Sequence, residues 1–357
     1  MHNHCSNVKV TRDEKAWEVE VSADISAADM EGFYQEALKD VQKNAKLDGF
    51  RPGHAPLDRI VAIYGEATIW RQAAEHAIDH VLPELLAEQK LPIVDAPKVS
   101  VGTPEKGQPL SFTARAPLAP EITLADYKKI AAKHNAVKEE VTVTDEEHAD
   151  AMKHIRRERS RIEKIEAGLE PKDAAEQSRA ADEKDLPALD DDFVKSLGYE
   201  SAEHFSNTLR ENMKSEKESQ AAEKRRTAIL DELVSDSKVN YPIILLNYEL
   251  DDMEARLSDD LSRMGITLPA YLAETKKTHE ELRESWKDAA DKRAKVRLVL
   301  AEISRQENID PDEARVEEEV KHAQEQYPKV NVEAIRSHVA HAMRNEATMA
   351  FLDGIEK

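Results

Sequence analysis

"VKVTRDEKAWEVEVSA", residues 8–23, alternates apolar and polar side chains on both sides of Asp13-Glu14-Lys15. Period-two alternation interrupted by a short charged run predicts a β-hairpin. A helix follows to about Asn44, with Met30, Phe33, Ala37 and Val41 three to four residues apart on one stripe. Pro56 suits the first turn of a short helix, "LDRIVAIY", which Gly65 ends, and a longer helix covers about 68–89. Strands at 98–101 and 110–116 flank the turn "GTPEKGQP". The hairpin therefore opens a β-β-α-α-α-β-β unit, a small α+β domain over residues 1–120.

Between the first two helices stands "DGFRPGHAP", residues 48–56. Gly49 and Gly53 supply backbone freedom, and Pro52 and Pro56 remove it again. Proline disfavours the helical region for the residue before it, so Arg51 should be extended. Such a loop holds Phe50 and Arg51 outward in few conformations, which suits a docking tip better than a core. The plainer alternative is an ordinary turn with Phe50 folded back onto its own domain.

The rest of the chain is different in kind. "APLAPEITLADYKKI" is a proline-bearing exit, and 121–143 reads as a linker or extended connection. From Thr144 onward nearly everything is helix-patterned. Thr144 caps an acidic first turn that becomes basic later, as the helix dipole favours. Residues 168–190 form a polar, apolar-poor connector. Long helices are then expected over 201–237, from Pro242, after Thr278 with its capping partner Glu281, over 311–327 and over Val332–Asp353.

Hydrophobic residues make up 40% of the chain, aromatics 5% and charged residues 34%. That is too much charge for one thick core and too much helix-patterned Leu, Ile, Val and Ala for disorder, so thin helical limbs are expected. A net charge of −21 argues against general nucleic-acid or anionic-membrane binding. The exception is local: residues 41–72 carry five bases, Lys43, Lys46, Arg51, Arg59 and Arg71, against three acids, Asp48, Asp58 and Glu66. Cys5 is the single cysteine, no apolar leader precedes it, and no stretch is long enough to span a bilayer; a cytoplasmic protein is the expectation.

The chain resembles the trigger factor family of bacterial ribosome-associated chaperones. The family's docking signature is Gly-Phe-Arg, a variable or basic position, Gly, a basic position, a variable position and Pro. Here it stands as Gly49-Phe50-Arg51-Pro52-Gly53-His54-Ala55-Pro56. "LPALDDDFVKSLGYESAEHF", "YPIILLNYELDDMEARL" and "LPAYLAETKKTHEELRESWKDAADKRAKVRLVLAEI" are similar, in order, to the family's C-terminal segments. The resemblance implies an α+β N-terminal ribosome-binding domain followed by an elongated all-α C-terminal domain with helical arms, residues 191–357 forming the chaperone body. It implies docking on the large ribosomal subunit near the tunnel exit, against ribosomal protein and rRNA, and the holding of unfolded nascent polypeptides. No cofactor, metal or membrane is implied, and a homodimer off the ribosome is among the assemblies it allows. Gly49, Phe50, Arg51, Pro52, Gly53, His54 and Pro56 would be the ribosome-binding residues.

Two departures qualify the resemblance. Family members usually carry an FKBP-like prolyl isomerase domain between the helix near Thr144 and "LPALDDDF". Residues 144–192 contain no Phe, Tyr or Trp and follow a helical pattern, so a helical arm and polar connector over 144–190 is expected in its place, without isomerase activity. In the loop, Pro52 and His54 replace common cations, and an ordinary imidazole carries little charge near neutral pH. Docking should therefore be weaker and less salt-sensitive than with a fully basic loop.

Other features have plainer readings. His76 and His80 have a zinc-compatible spacing but no third ligand, and "HNHC" at residues 2–5 reads as a frayed terminus. "RRERSRIEK", 156–164, could face RNA, but the interleaved Glu158 and Glu163 favour a solvated helix face. No P-loop, GxGxxG or nucleophile motif is present. The competing functions are a prolyl isomerase with a degenerate domain and a ribosome-independent helical scaffold or assembly chaperone.

Overall fold

Strand β1 (Cys5–Asp13) pairs antiparallel with β2 (Glu18–Ile25), whose Val19, Val21, Ala23 and Ile25 are buried on alternate positions. The structure, a computed structural model, describes residues 5–47, 50–51, 53–137, 141–326 and 330–356. Helices α1 (Ala27–Asn44), α2 (Leu57–Tyr64) and α3 (Glu66–Glu88) follow, then β3 (Lys98–Val101) and β4 (Leu110–Pro117). The sheet order is β1-β2-β4-β3, all antiparallel. The expected β-β-α-α-α-β-β order is the one observed.

Its core forms because two periods meet. Leu110, Phe112, Ala114 and Ala116 alternate inward on β4. Met30, Phe33, Tyr34, Ala37 and Leu38 of α1 and Ile69, Trp70, Ala73, Ala77 and Val81 of α3 supply helical stripes against them. Ser26 caps α1 by accepting from the Asp29 N–H. The Tyr34 and Trp70 rings lie 4.5 Å apart between centroids.

The backbone divides into two compact units, Met1–Ala125 with Val234–Asp310, and Asp126–Leu233 with Pro311–Lys357. This differs from a single helical body over 191–357. In the first unit, β5 (Glu121–Thr123) pairs with β6 (Lys238–Asn240), which joins chain segments more than a hundred residues apart. Beyond it run α9 (Ile243–Arg263), α10 (Leu268–Thr275) and α11 (His279–Glu307). The buried Glu249 of α9 is met by Arg293 at 3.2 Å and Arg297 at 2.9 Å from α11. Paired in this way, the carboxylate tolerates burial that would otherwise be costly.

The second unit holds α4 (Tyr127–Asn135), α5 (Asp145–Glu166), α6 (Pro171–Ala180), α7 (Asp191–Ser196), α8 (Ala202–Asp236), α12 (Glu313–Gln326) and α13 (Val332–Asp353), α8 running three residues past Leu233. Thr144 and Glu147 form the expected capping box on α5. The Glu147 carboxyl is held down at about 2 by Lys217, 2.6 Å away, and then by the Thr144 N–H and hydroxyl. Asn135 donates to the carbonyls of Leu352, Asp353 and Ile355, satisfying groups that the end of α13 leaves open.

Three expectations need correction, and a fourth gains a detail. Residues 121–143 are not an extended connection throughout: they contain β5 and α4, whose Asp126 accepts from the Lys129 N–H and whose Ile130 and Ala131 are buried. The C-terminal region is helical as expected apart from one short strand, β6; a three-residue strand is too short to show a period. The connector at 168–190 contains α6 with Pro171 in its first turn. It packs on α5 through Ala174, fully buried, and the Ser178–Ser160 hydroxyl bond, so small residues do what an apolar stripe usually does. Arg156 and Arg159 are not a solvated face. Arg156 donates to the carbonyls of Glu183, Leu186 and Pro187, and Arg159 to that of Ala188 while lying 4.1 Å over the Phe193 ring.

Candidate ribosome-docking loop

Helix α1 ends where Ala45, buried, donates to the Val41 carbonyl, and Leu47 packs half-buried against the core. The Phe50 N–H donates to the Leu47 carbonyl at 3.1 Å, starting the loop with a turn. Phe50 itself is 43% exposed, and Arg51 is exposed beside it. Gly49 and Pro52 lie outside the described residues. The Arg51 carbonyl accepts from the His54 N–H at 3.0 Å, and Gly53 between them has φ +83°, a conformation that suits glycine.

The far foot is fastened more tightly. Ala55 is buried, and its carbonyl accepts from Gln42 Nε2 of α1 at 2.7 Å. Pro56 opens α2, its carbonyl accepting from Arg59 and Ile60. Ile60, with no exposed surface, is the buried residue that holds α2 to the core. His54 and Pro56 are exposed. The described loop residues thus present an aromatic ring and a guanidinium between two anchored feet.

Sequence reasoning missed a neighbouring feature. Leu57, Ile63 and Tyr64 of α2 are exposed, Ile63 by 59%. The signal was available: Leu57, Ile60, Val61, Ile63 and Tyr64 are more apolar residues than one face of an eight-residue helix can bury. With Phe50 they give this end of the domain a set of open apolar side chains. An exposed ring is chemically able to insert into an apolar cleft, and an exposed guanidinium to pair with phosphate or carboxylate.

The histidines considered for zinc have other surroundings: His76 lies 3.9 Å from Asp40, and the His80 ring lies 5.9 Å from that of Phe33. Among the described residues no three His, Cys, Asp or Glu side chains gather as a metal site would need. No described helix is long and apolar enough to cross a membrane.

Family models described as bacterial trigger factor protein and bacterial trigger factor protein C-terminus match residues 6–155 and 201–351. The trigger factor of Clostridium botulinum (strain Loch Maree / Type A3) is 24% identical over 420 aligned positions, covering 98% of this chain and 96% of its own. That of Clostridium acetobutylicum is 24% identical over 398 positions, covering 90% and 91%. A solved structure described as "Promiscuous Substrate Recognition in Folding and Assembly Activities of the Trigger Factor Chaperone" shares the fold, with a TM-score of 0.54 at 13% identity over 98% of this chain and all of that one. The 420 aligned positions outnumber the 357 residues here, so that relative carries stretches this chain lacks. Between the two family matches, residues 156–200 form the rest of α5, α6, a short 3-10 turn and α7, with no strand.

Proposed function

The chain belongs to the bacterial trigger factor family, a family of ribosome-associated chaperones, and we propose that it docks through the loop at 49–56. The observation that carries this reading is the exposed Phe50 ring on a loop fastened by Ala55 and Pro56. Phe50 would wedge against the large ribosomal subunit near the tunnel exit. Arg51 would pair with an rRNA phosphate or a ribosomal-protein carboxylate, for which its fork is suited. Gly49, Pro52, Gly53, His54 and Pro56 would shape the tip. Unfolded nascent polypeptides would then be held in the cytoplasm by weak, multivalent apolar contacts, without ATP or cofactor. A homodimer off the ribosome is compatible with this reading.

Co-sedimentation with ribosomes tests the docking. Phe50→Ala/Arg51→Ala is expected to pellet at least tenfold less protein than the wild type. One permanent cation at the tip also predicts a log–log salt slope on the order of −1. Equal pelleting of both proteins, or a much steeper salt dependence, would count against the assignment.

We further propose that the chain is not a prolyl isomerase. Residues 144–192 offer helices and no aromatic side chain, whereas an isomerase pocket of the FKBP kind needs a sheet and aromatic walls. Proline-limited refolding of a model client is expected to proceed at its uncatalysed rate in the presence of this protein. A rate rising with its concentration would restore the enzymatic reading.

A further inference from the structure

The sheet ends at β3, and that edge is open among the described residues. Its phase is fixed by Gly102, whose N–H donates to the Ser111 carbonyl at 2.8 Å in the same register as β3 on β4. In an antiparallel ladder hydrogen-bonded and non-bonded pairs alternate. Residues 98, 100 and 102 therefore direct their backbone groups at β4. Val99 and Val101 direct theirs outward, away from the sheet. Each presents one N–H and one C=O at the spacing that an added strand would match.

The side chains on that edge make it more than a bare ladder. Val99 and Val101 stand opposite Ala114 and Phe112, both buried, so they belong to the core face of the sheet. Yet Val101 is 43% exposed, because among the described residues β3 is the last strand of the sheet. A groove of about 850 Å³ runs between this edge and α3, its helical wall formed by Arg71, Ala74, Glu75, Ile78 and Asp79. Most native sheet edges are blunted by charge, proline or a bulge. Here the outward-bonding residues are two valines, and the apolar floor continues into Ala74 and Ile78.

We propose that this groove takes an extended segment of unfolded polypeptide as a fifth strand on β3, with alternate apolar side chains directed at Val101 and Ile78. Open main-chain donors and acceptors select an extended backbone rather than a helix, and the groove accepts every second side chain. Glu75 and Asp79 sit one helical turn apart on the wall, against a single base, Arg71, so a segment carrying a basic residue is favoured. The acidic pair on the wall also disfavours, in this groove, a strand from a second copy of this acidic chain, whatever dimer forms through other faces. The proposal rests on the chaperone reading above, and adds to it a backbone-directed site in the N-terminal domain, separate from the docking loop.

The test uses the full chain and a fluorescent eight-residue peptide that alternates leucine and threonine and ends in lysine. Its comparator is the same peptide N-methylated at alternate residues along one edge. Val101→Pro removes one outward N–H while leaving the bonds to β4 in place, a substitution that edge strands tolerate. Anisotropy titrations are expected to show binding by the wild type. The affinity should fall about tenfold both for N-methylated peptide and for Val101→Pro. Equal affinity in all combinations, or no binding at all, would overturn strand addition. Should Val101→Pro fail to fold by circular dichroism, the N-methylated peptide on the wild type decides alone. Suppression of client aggregation by the wild type is measured in parallel. Its loss would remove the chaperone reading itself, whereas its retention with indifferent peptides would remove only the edge site.

Discussion

Ile60→Ala is expected to destabilise the N-terminal domain by about 3 kcal/mol, a typical cost for emptying a fully buried isoleucine site. Helix α2 has eight residues, too few to be stable by hydrogen bonding alone, so its place is set by packing. Ile60 is the residue of α2 that is buried, and its N–H also donates to the Pro56 carbonyl at the loop's far foot. Truncation leaves a cavity under the helix that must hold the loop in position. Ribosome pelleting should therefore weaken although Phe50 and Arg51 are untouched. Ile63→Ala, three residues away but 59% exposed, should stay within about 0.5 kcal/mol of the wild type. Tryptophan fluorescence in a urea titration reads this cleanly, because Trp17, Trp70 and Trp286 all lie in the unit that contains Ile60. Equal midpoints for the two variants would mean that α2 is not held as described.

How much of this was legible beforehand depended on whether burial left a periodic trace. Strand β2, α1 and α3 were readable because each buries whole side chains at intervals of two or of three to four, as in Val19-Val21-Ala23-Ile25 and Met30-Phe33-Ala37, whereas β1 shows the alternation in sequence but stays exposed beyond Cys5. Thr144 and Thr278 marked helix starts through a local hydrogen bond that needs no tertiary partner. The outward Phe50 and Arg51 were legible for a similar reason: glycine and proline, such as Gly53 and Pro56, fix backbone behaviour wherever they stand. Other elements depend on distant partners. Val239 needs Ile122 across the β5–β6 pair, and α6 needs α5 beneath Ala174. Neither Ala nor a three-residue strand announces burial. The groove on β3 was hidden because Val99 and Val101 look like ordinary core positions, and only the strand order reveals that they end the sheet.

The arginines of α5 bear on the segment between the two family matches, residues 156–200. Residues 183–190 supply little apolar burial beyond Leu186, so packing alone gives them weak hold. Arg156 compensates by donating to Glu183 O at 2.8 Å, Leu186 O at 2.7 Å and Pro187 O at 3.0 Å. Each is a charge-assisted bond to a main-chain carbonyl, of the stronger class. Arg156→Ala would leave those carbonyls to water and loosen the entry to α7, whose Phe193 lies under Arg159. The expected cost is about 3 kcal/mol in local opening free energy, from three charge-assisted bonds partly replaced by solvent. Arg156→Lys should recover only a fraction, since an ammonium cannot span three carbonyls as a planar fork does. This unit contains no tryptophan, so the readout is amide hydrogen exchange. Exchange across 186–194 should accelerate about a hundredfold in Arg156→Ala, while the strands of the N-terminal sheet keep their protection. Unchanged exchange over that stretch would show that the carbonyl bonds are incidental and that Leu186 and Val194 hold the segment by themselves.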